Sequence, residues 1–357
     1  MKIHAAIARS ANDDFSIEEV DLNDPLDGQV RVKINACGIC RSDLSALEGK
    51  ETIQYPVVLG HEAAGTIAAV GKGVKHLKEG DSVVLSWTPA CGTCPSCSRG
   101  KVHLCSGINM TTQGKGPLSQ GGKGLDRFMG LGAFAEYVVV PEAMAIPIET
   151  KLQAHHACLI GCGVTTGFGA AVNTAAIRWG ETVAVLGCGG VGLAAIQGAR
   201  IAGAERIFAV DPIKERRQIA LSVGATDALI PDDITQKIIA ATSGGVDCAI
   251  ECVGNTATMQ DCFSMIRQGG RAVVVGLPAY TDLLSIPAIM LLAEKTLTGS
   301  IYGSTNPKVD FQKIASMGES GILQFEPLVD KTMAFSDINQ GFQEMQEGRV
   351  ARVVLTF

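Results

Sequence analysis

The sequence predicts an α/β fold in which a doubly wound parallel-sheet domain is inserted into a mainly β domain. Three observations carry this expectation. Residues 1–163 hold short β-like runs between turn signals. From Thr182 the chain alternates apolar strands with amphipathic helices. After about residue 302 the texture is mixed again and ends in the strand-like RVVLTF. A chain of 357 residues also exceeds one core of ordinary size. The expected domains are therefore 1–163 with 302–357, and 164–301 between them.

In the first part the β-like runs are VRVKI (30–34), GTIAAV (65–70), DSVVLS (81–86) and FAEYVVV (134–140). Asp27-Gly28, Glu79-Gly80 and several prolines separate them, the pattern of a largely antiparallel β domain. In the second part TVAVLG precedes VGLAAIQGARIAG, and RIFAVD precedes IKERRQIALSV. ALI then precedes DDITQKIIAATS, and VDCAIECVG precedes ATMQDCFSMI. GGRAVVVGL and a last strand near LTGS (297–300) close the run. Such alternation implies βαβ units and a parallel sheet. No internal repeat and no low-complexity linker interrupts either part.

Hydrophobic residues at 46% and charged residues at 18% describe a soluble globular protein. The formal charge of −6, with acidic and basic residues interspersed, argues against nucleic acid or an anionic membrane as partner. No apolar run approaches the ~18 residues of a membrane span. The opening MKIHAAIARSANDD lacks the features of a signal peptide. The expected location is the cytoplasm, where thiols stay reduced. Clustered cysteines then read as metal ligands or redox groups before they read as disulfides.

The junction VLGCGGVG contains Gly187-x-Gly189-x-x-Gly192 between a predicted strand and a predicted helix. The first glycine permits a tight turn, the second a close approach of backbone to a pyrophosphate, and the third close helix–strand packing. The helix N-terminus adds unpaired N–H groups for phosphate. Asp211, at the end of RIFAVD, stands where a carboxylate accepts the adenosine ribose hydroxyls and repels a 2′-phosphate. NAD is thus expected over NADP. Arg216 and Arg217 are the nearby cations that soften this preference.

ACGTCPSCSRGKVHLC (90–105) places Cys91, Cys94, Cys97 and Cys105 in one polar loop. Four thiolates in such short hops close a tetrahedral site, which suits a structural Zn²⁺. An iron–sulfur cluster is the competing occupant. With no open coordination position, the metal would organise the loop without taking part in a reaction. Cys40 in CGICRSDL, His61 and Glu62 in VVLGHEAAG, and Cys162 in LIGCGVTTG form a second candidate set. A Cys/His/Cys set leaves a fourth position for water or substrate, as catalytic zinc requires. Spacing this wide does not by itself distinguish ligands from a packed thiol and a buried histidine.

Taken together, CGICRSD, GHEAAG, the four-cysteine loop, GCGVTTGFGAAVNTA, VLGCGGVGLAAIQGA and RVVLTF resemble the zinc-dependent medium-chain alcohol dehydrogenases. Order and spacing match from about residue 25 to the C-terminus. The segment between Cys105 and Phe134 resembles the larger liver-type members, which are often dimers, whereas short-looped relatives are tetramers. The resemblance implies a Rossmann nucleotide domain inserted into a GroES-like catalytic domain, with two Zn²⁺ per subunit and NAD. It implies that Cys40, His61 and Cys162 hold the catalytic zinc, and that Glu62 assists ligand exchange. Asp43 would orient the histidine, and Ser42 would take the substrate proton. Arg41 and Arg352 would clamp the pyrophosphate, with Thr166 beside the nicotinamide. Gly190, Val191, Val253, Val275 and Arg216 complete the implied cofactor surface, and Trp87 lines the substrate pocket.

Cysteines 37, 158, 188, 248, 252 and 262 are expected to be buried apolar side chains. One departure stands out. Many liver-type relatives end their proton relay at a surface histidine three residues after the hydroxyl; Ser45 stands there. The implied reaction is reversible oxidation of a primary alcohol, aromatic or bulky ones included, or a secondary alcohol, to aldehyde or ketone by hydride transfer to NAD. Three alternatives remain: a thiol-dependent formaldehyde dehydrogenase, a nicotinoprotein with tightly held NAD, and a non-catalytic nucleotide-binding protein. The partner expected is a small-molecule alcohol or aldehyde, handled by a homodimer or homotetramer.

Overall fold

The computed structural model describes residues 1–108 and 112–357. The liver-type segment 106–133 therefore lies partly outside the described residues, at 109–111. The chain divides into two compact units. One comprises Met1–Cys162, Asn306–Gly321 and Val329–Phe357; the other comprises Gly163–Thr305 and Ile322–Leu328.

The first unit starts with β1 (Lys2–Ala8) and β2 (Ser16–Leu22), an antiparallel pair with Ile3 opposite Val20. Next come β3 (Gln29–Ile39), α1 (Arg41–Leu47), β4 (Val57–Val58), β5 (Glu62–Val70) and β6 (Ser82–Leu85). The short α2 (Pro95–Ser98) lies inside the four-cysteine loop. β7 (Leu118–Gln120), β8 (Lys123–Gly124), β9 (Asp126–Arg127), β10 (Tyr137–Pro141), β11 (Ala145–Pro147) and α3 (Ala154–Ala157) follow.

The second unit opens with α4 (Gly163–Gly169) and then builds the strand–helix alternation: β12 (Thr182–Leu186), α5 (Gly190–Ile201), β13 (Arg206–Val210), α6 (Lys214–Ser222), β14 (Asp227–Leu229), α7 (Ile234–Thr242), β15 (Val246–Glu251), α8 (Thr256–Met265), β16 (Ile266–Val274) and β17 (Thr296–Gly299). The sheet order is β14-β13-β12-β15-β16-β17, parallel throughout. The strands are apolar because helices cover them: Phe208, Ile238, Phe263 and Ile266 belong to one buried cluster between them. Reversal of strand order between β12 and β15 creates the switch point at which such sheets bind dinucleotides.

The chain then returns to the first unit with α9 (Pro307–Glu319), β18 (Lys331–Ala334), α10 (Ile338–Gln346) and β19 (Val353–Thr356). One sheet there runs β8-β7-β2-β1-β4-β9. Another runs β11-β6-β5-β3-β19-β18, with β10 also on β3. The second sheet matters most, because the register Gly38↔Glu62 on β3 and β5 brings two ligand-bearing strand ends together.

The observed division differs from the expected boundaries. Gly163, residues 302–305 and residues 322–328 group with the second unit. The reason for the last segment is local. The Gln197 amide on α5 donates to the Gln324 carbonyl (3.0 Å) and accepts from the Gln324 N–H (2.7 Å), while Leu323 and Phe325 are buried. Among the described residues no single helix is long and apolar enough to cross a membrane.

Candidate metal centres and nucleotide site

β3 ends at Ile39, and Cys40 becomes the N-cap of α1 because Asp43 folds back on it. The Asp43 carboxylate accepts the Cys40 N–H (3.1 Å), the Gly60 N–H (3.0 Å) and a hydrogen from His61 Nδ1 (3.1 Å). All three partners donate to a side chain with no exposure. Because Asp43 takes the Nδ1 hydrogen, the Nε2 lone pair of His61 is left free to ligate. Phe128 packs edge-on against the imidazole, with ring centroids 5.6 Å apart.

Cys40 Sγ, a His61 ring nitrogen and Cys162 Sγ lie within 4.8 Å of one another. Ser42 Oγ sits beside them, 3.3 Å from both Cys40 Sγ and His61 Nε2. Hydrogen bonding with Cys162 pushes the Cys40 thiol well below the ordinary thiol range, and hydrogen bonding with Cys40, together with burial, pushes Cys162 well above it. Burial works to lower the His61 pKa, but the Asp43 charge and hydrogen bond outweigh it and raise the value. Two sulfurs and one imidazole in such proximity are a donor set suited to zinc with one position open.

Glu62 is also fully buried, and its carboxylate is paired with the Arg352 guanidinium, itself 4% exposed. Arg352 also donates to the Ile39 carbonyl (3.3 Å). The expected pyrophosphate clamp is therefore seen here as the partner of Glu62. Its companion Arg41 is exposed at the start of α1. Gly38 makes room for Glu62, since a Cβ there would lie 2.8 Å from Glu62 Oε2. Trp87 is buried in the same unit, and Ser45 is half-buried one turn beyond Ser42.

In the four-cysteine loop the sulfurs all lie within 4.8 Å of one another. Sulfurs about 2.3 Å from a tetrahedral centre stand about 3.8 Å apart; Cys91 Sγ and Cys97 Sγ are 4.0 Å apart. Backbone N–H groups aim at them: Cys94 N at Cys91 Sγ (3.4 Å), Cys97 N at Cys94 Sγ (3.4 Å) and Gly107 N at Cys105 Sγ (3.4 Å). The N–H groups of Cys97 and Ser106 hold the Cys94 thiol down to about 5. Thiolate-stabilising donors around four convergent sulfurs fit a closed metal site.

In the second unit the glycine turn has the properties that nucleotide binding needs. Gly187 has φ +92°, and a Cβ on Gly192 would meet the Gly187 carbonyl at 1.8 Å. A Cβ on Gly189 would meet nothing within 4 Å, leaving open space at the cap of α5, next to Gly190 and Val191. Asp211 accepts from Cys188 N (2.9 Å) and Ile213 N (2.8 Å), which fixes its carboxylate at the end of β13. Arg217 donates to the Asp211 carbonyl (2.7 Å), and Arg216 is half-buried. Val253 is 49% exposed after β15, Val275 half-buried after β16, and Thr166 half-buried on α4. The pairing of Arg352 with Glu62, the Phe128 contact and the buried Glu251 are features that sequence reasoning did not reach.

Comparison with known proteins agrees with this architecture. Residues 26–150 match the model of the alcohol dehydrogenase GroES-like domain, and residues 190–319 match that of the zinc-binding dehydrogenases. The chain is 37% identical over 370 residues to S-(hydroxymethyl)glutathione dehydrogenase of Synechocystis sp., covering 100% of both. Among solved structures, an alcohol dehydrogenase zinc-binding domain protein of Burkholderia ambifaria is 33% identical with a TM-score of 0.95, covering 100% of this chain and 99% of its own. Benzyl alcohol dehydrogenase of Acinetobacter calcoaceticus is 29% identical, also with a TM-score of 0.95, covering 100% and 99%. With its metal-ligand clusters and its nucleotide-binding sheet, the chain belongs to the zinc-dependent medium-chain alcohol dehydrogenases, oxidoreductases that act with zinc and NAD.

Proposed function

We propose that this enzyme oxidises primary alcohols, aromatic or otherwise bulky ones included, reversibly to aldehydes at the Cys40/His61/Cys162 centre. The observation that carries the reading is the convergence of those three ligand atoms with Ser42 Oγ 3.3 Å from two of them. Lewis-acid polarisation of a hydroxyl is what zinc supplies when held there, and hydride acceptance is what NAD supplies. The likeness to benzyl alcohol dehydrogenase and the buried Trp87 support an aromatic substrate.

In this reading the chain's residues have separate tasks. Ser42 Oγ receives the substrate hydroxyl proton, and Ser45, which is no base near neutral pH, leaves onward transfer to water. Asp43 keeps the His61 proton on Nδ1, so Nε2 stays a ligand. Arg352 holds Glu62 in place beside the centre. The four-cysteine loop holds a second zinc that contributes folding energy only. Thr166, Val253, Val275, Asp211, Arg216 and the glycine turn take the cofactor, and Arg41 keeps the pyrophosphate role that the family resemblance implies.

The 37% identity to an S-(hydroxymethyl)glutathione dehydrogenase favours a second reading, oxidation of a thiol adduct of formaldehyde. A panel comparing benzyl alcohol, ethanol and formaldehyde with glutathione, under NAD and NADP, separates the two. Cys162→Ser should abolish turnover of the best substrate while the loop zinc and the fold persist. Full activity in that variant would sink the site assignment.

Two further readings accompany this one. A homodimer or homotetramer would use the β17 edge of the second unit, where Tyr280, Leu283, Ile289 and Leu292 are 80%, 89%, 71% and 81% exposed. Sedimentation should then give at least twice the 37.2 kDa chain mass. A cytoplasmic location suits the six cysteines that, with His61, are grouped as metal ligands, since those cysteines require reduced thiols.

A further inference from the structure

At the C-terminal edge of the parallel sheet one buried carboxylate has no role in the readings above. Glu251 is the last residue of β15, paired in register with Leu186 of β12 and Val274 of β16, and it has no exposed surface. Its Oε1 accepts from Val253 N (2.9 Å), Gly254 N (2.7 Å) and Thr258 Oγ1 (2.7 Å). Among the described residues its Oε2 has no hydrogen-bond partner. Its main-chain carbonyl accepts from Val275 N (2.8 Å) and Gly276 N (3.0 Å).

One residue thereby ties two turns together, the side chain gripping 253–254 and the backbone gripping 275–276. The turns are also in direct contact. A Cβ on Gly276 would fall 2.1 Å from Gly254 N and 2.8 Å from Glu251 Oε2, and one on Gly254 would fall 2.6 Å from the Leu277 carbonyl. Neither turn can shift without the other. Burying a carboxylate with an unmatched oxygen is unfavourable. Three donors and the N-terminus of the ten-residue α8 offset that cost on the Oε1 side only.

Both turns follow strands on one flank of the switch point, where open parallel sheets bind dinucleotides. The first turn also abuts the glycine turn, since a Cβ on Gly187 would lie 2.9 Å from Val253 Cγ2. We propose that Glu251 is a positioning residue for the nicotinamide cofactor, fixing the 253–254 and 275–276 turns as one rigid wall of its site. The proposal rests on the assignment of the cofactor to this sheet, which NADH binding by the wild-type protein checks separately.

The test uses zinc-replete full-length protein and NADH fluorescence titration, with thermal unfolding alongside. Glu251→Asp keeps the charge but is one methylene too short to reach both N–H groups. It should weaken NADH binding about tenfold and raise the KM for NAD similarly, with kcat at saturating NAD nearly unchanged. Glu251→Gln keeps an acceptor at the same reach and should bind within about threefold of wild type. Thr258→Val removes one donor and should cost about two- to threefold. A role confined to stability would lower the unfolding temperature of Glu251→Asp without moving the NADH affinity, and that result overturns the proposal. So does a Glu251→Gln protein as weak as Glu251→Asp. If Glu251→Asp does not fold, unchanged affinity in Thr258→Val overturns it equally. Failure of the wild type to bind NADH would instead remove the cofactor assignment.

Discussion

Replacing Arg352 with methionine removes one half of an ion pair that has almost no contact with solvent. Glu62 is 0% exposed and Arg352 4%. Breaking such a pair leaves an uncompensated carboxylate and costs about 3–5 kcal/mol, whereas neutralising both partners is far milder. The two tryptophans make the cost measurable, because Trp87 is buried in the same unit as the pair while Trp179 is 88% exposed in the other. In a Trp179→Phe background, Trp87 fluorescence reports unfolding of the first unit. With a urea m-value of about 3 kcal/mol per M, the Arg352→Met midpoint should fall by about 1 to 1.7 M. Adding Glu62→Gln should recover most of that loss, to within about 1 kcal/mol of the parent. A loss below about 1 kcal/mol in the single variant, or additive losses in the double, would refute the reasoning.

Asp43→Asn withdraws the acceptor-only partner of His61 Nδ1 and should weaken zinc binding at the Cys40/His61/Cys162 centre about 10- to 100-fold, read by competition with a chromophoric chelator. Gly192→Ala drives a Cβ to 1.8 Å from the Gly187 carbonyl, so NADH binding should be lost with a fall in the unfolding temperature of the second unit. Hydrogen bonds from Arg9, then Ser16 and Gln120, hold Glu18 down to about 2 from 4.5. This stability is present above about pH 4.5 and lost as pH falls toward 2. Glu18→Gln should therefore be less stable than wild type by up to about 1 kcal/mol at neutral pH, the gap closing by pH 2 in denaturant titrations.

Much of this molecule was legible in the residues themselves. The parallel sheet showed because its central strands β12, β13 and β15 are apolar runs each followed by a helix, a local pattern. The four-cysteine loop showed because its ligands lie within fifteen residues of one another. What stayed hidden depends on long-range closure. Glu62 and Arg352 are 290 positions apart, and nothing near either residue marks the other. Phe128 looks like any core phenylalanine until the loop carrying it reaches His61. Glu251 looks like a polar strand end, and only the fold reveals that two turns hang on it. The assignment of 322–328 failed for a similar reason, since the anchoring amide belongs to Gln197 on a different element.

The register of β3 against β5 has a bearing on how the catalytic ion is acquired. Gly38 faces Glu62, so Cys40 and His61 leave neighbouring strand ends side by side, and backbone pairing alone brings them there. Chelation should accordingly strip the ion without scattering its ligands, and a different divalent ion such as cobalt should slip into the vacated place and restore a signal. Among the described residues none of the four loop cysteines lies in a strand, and depletion there should be much harder to reverse.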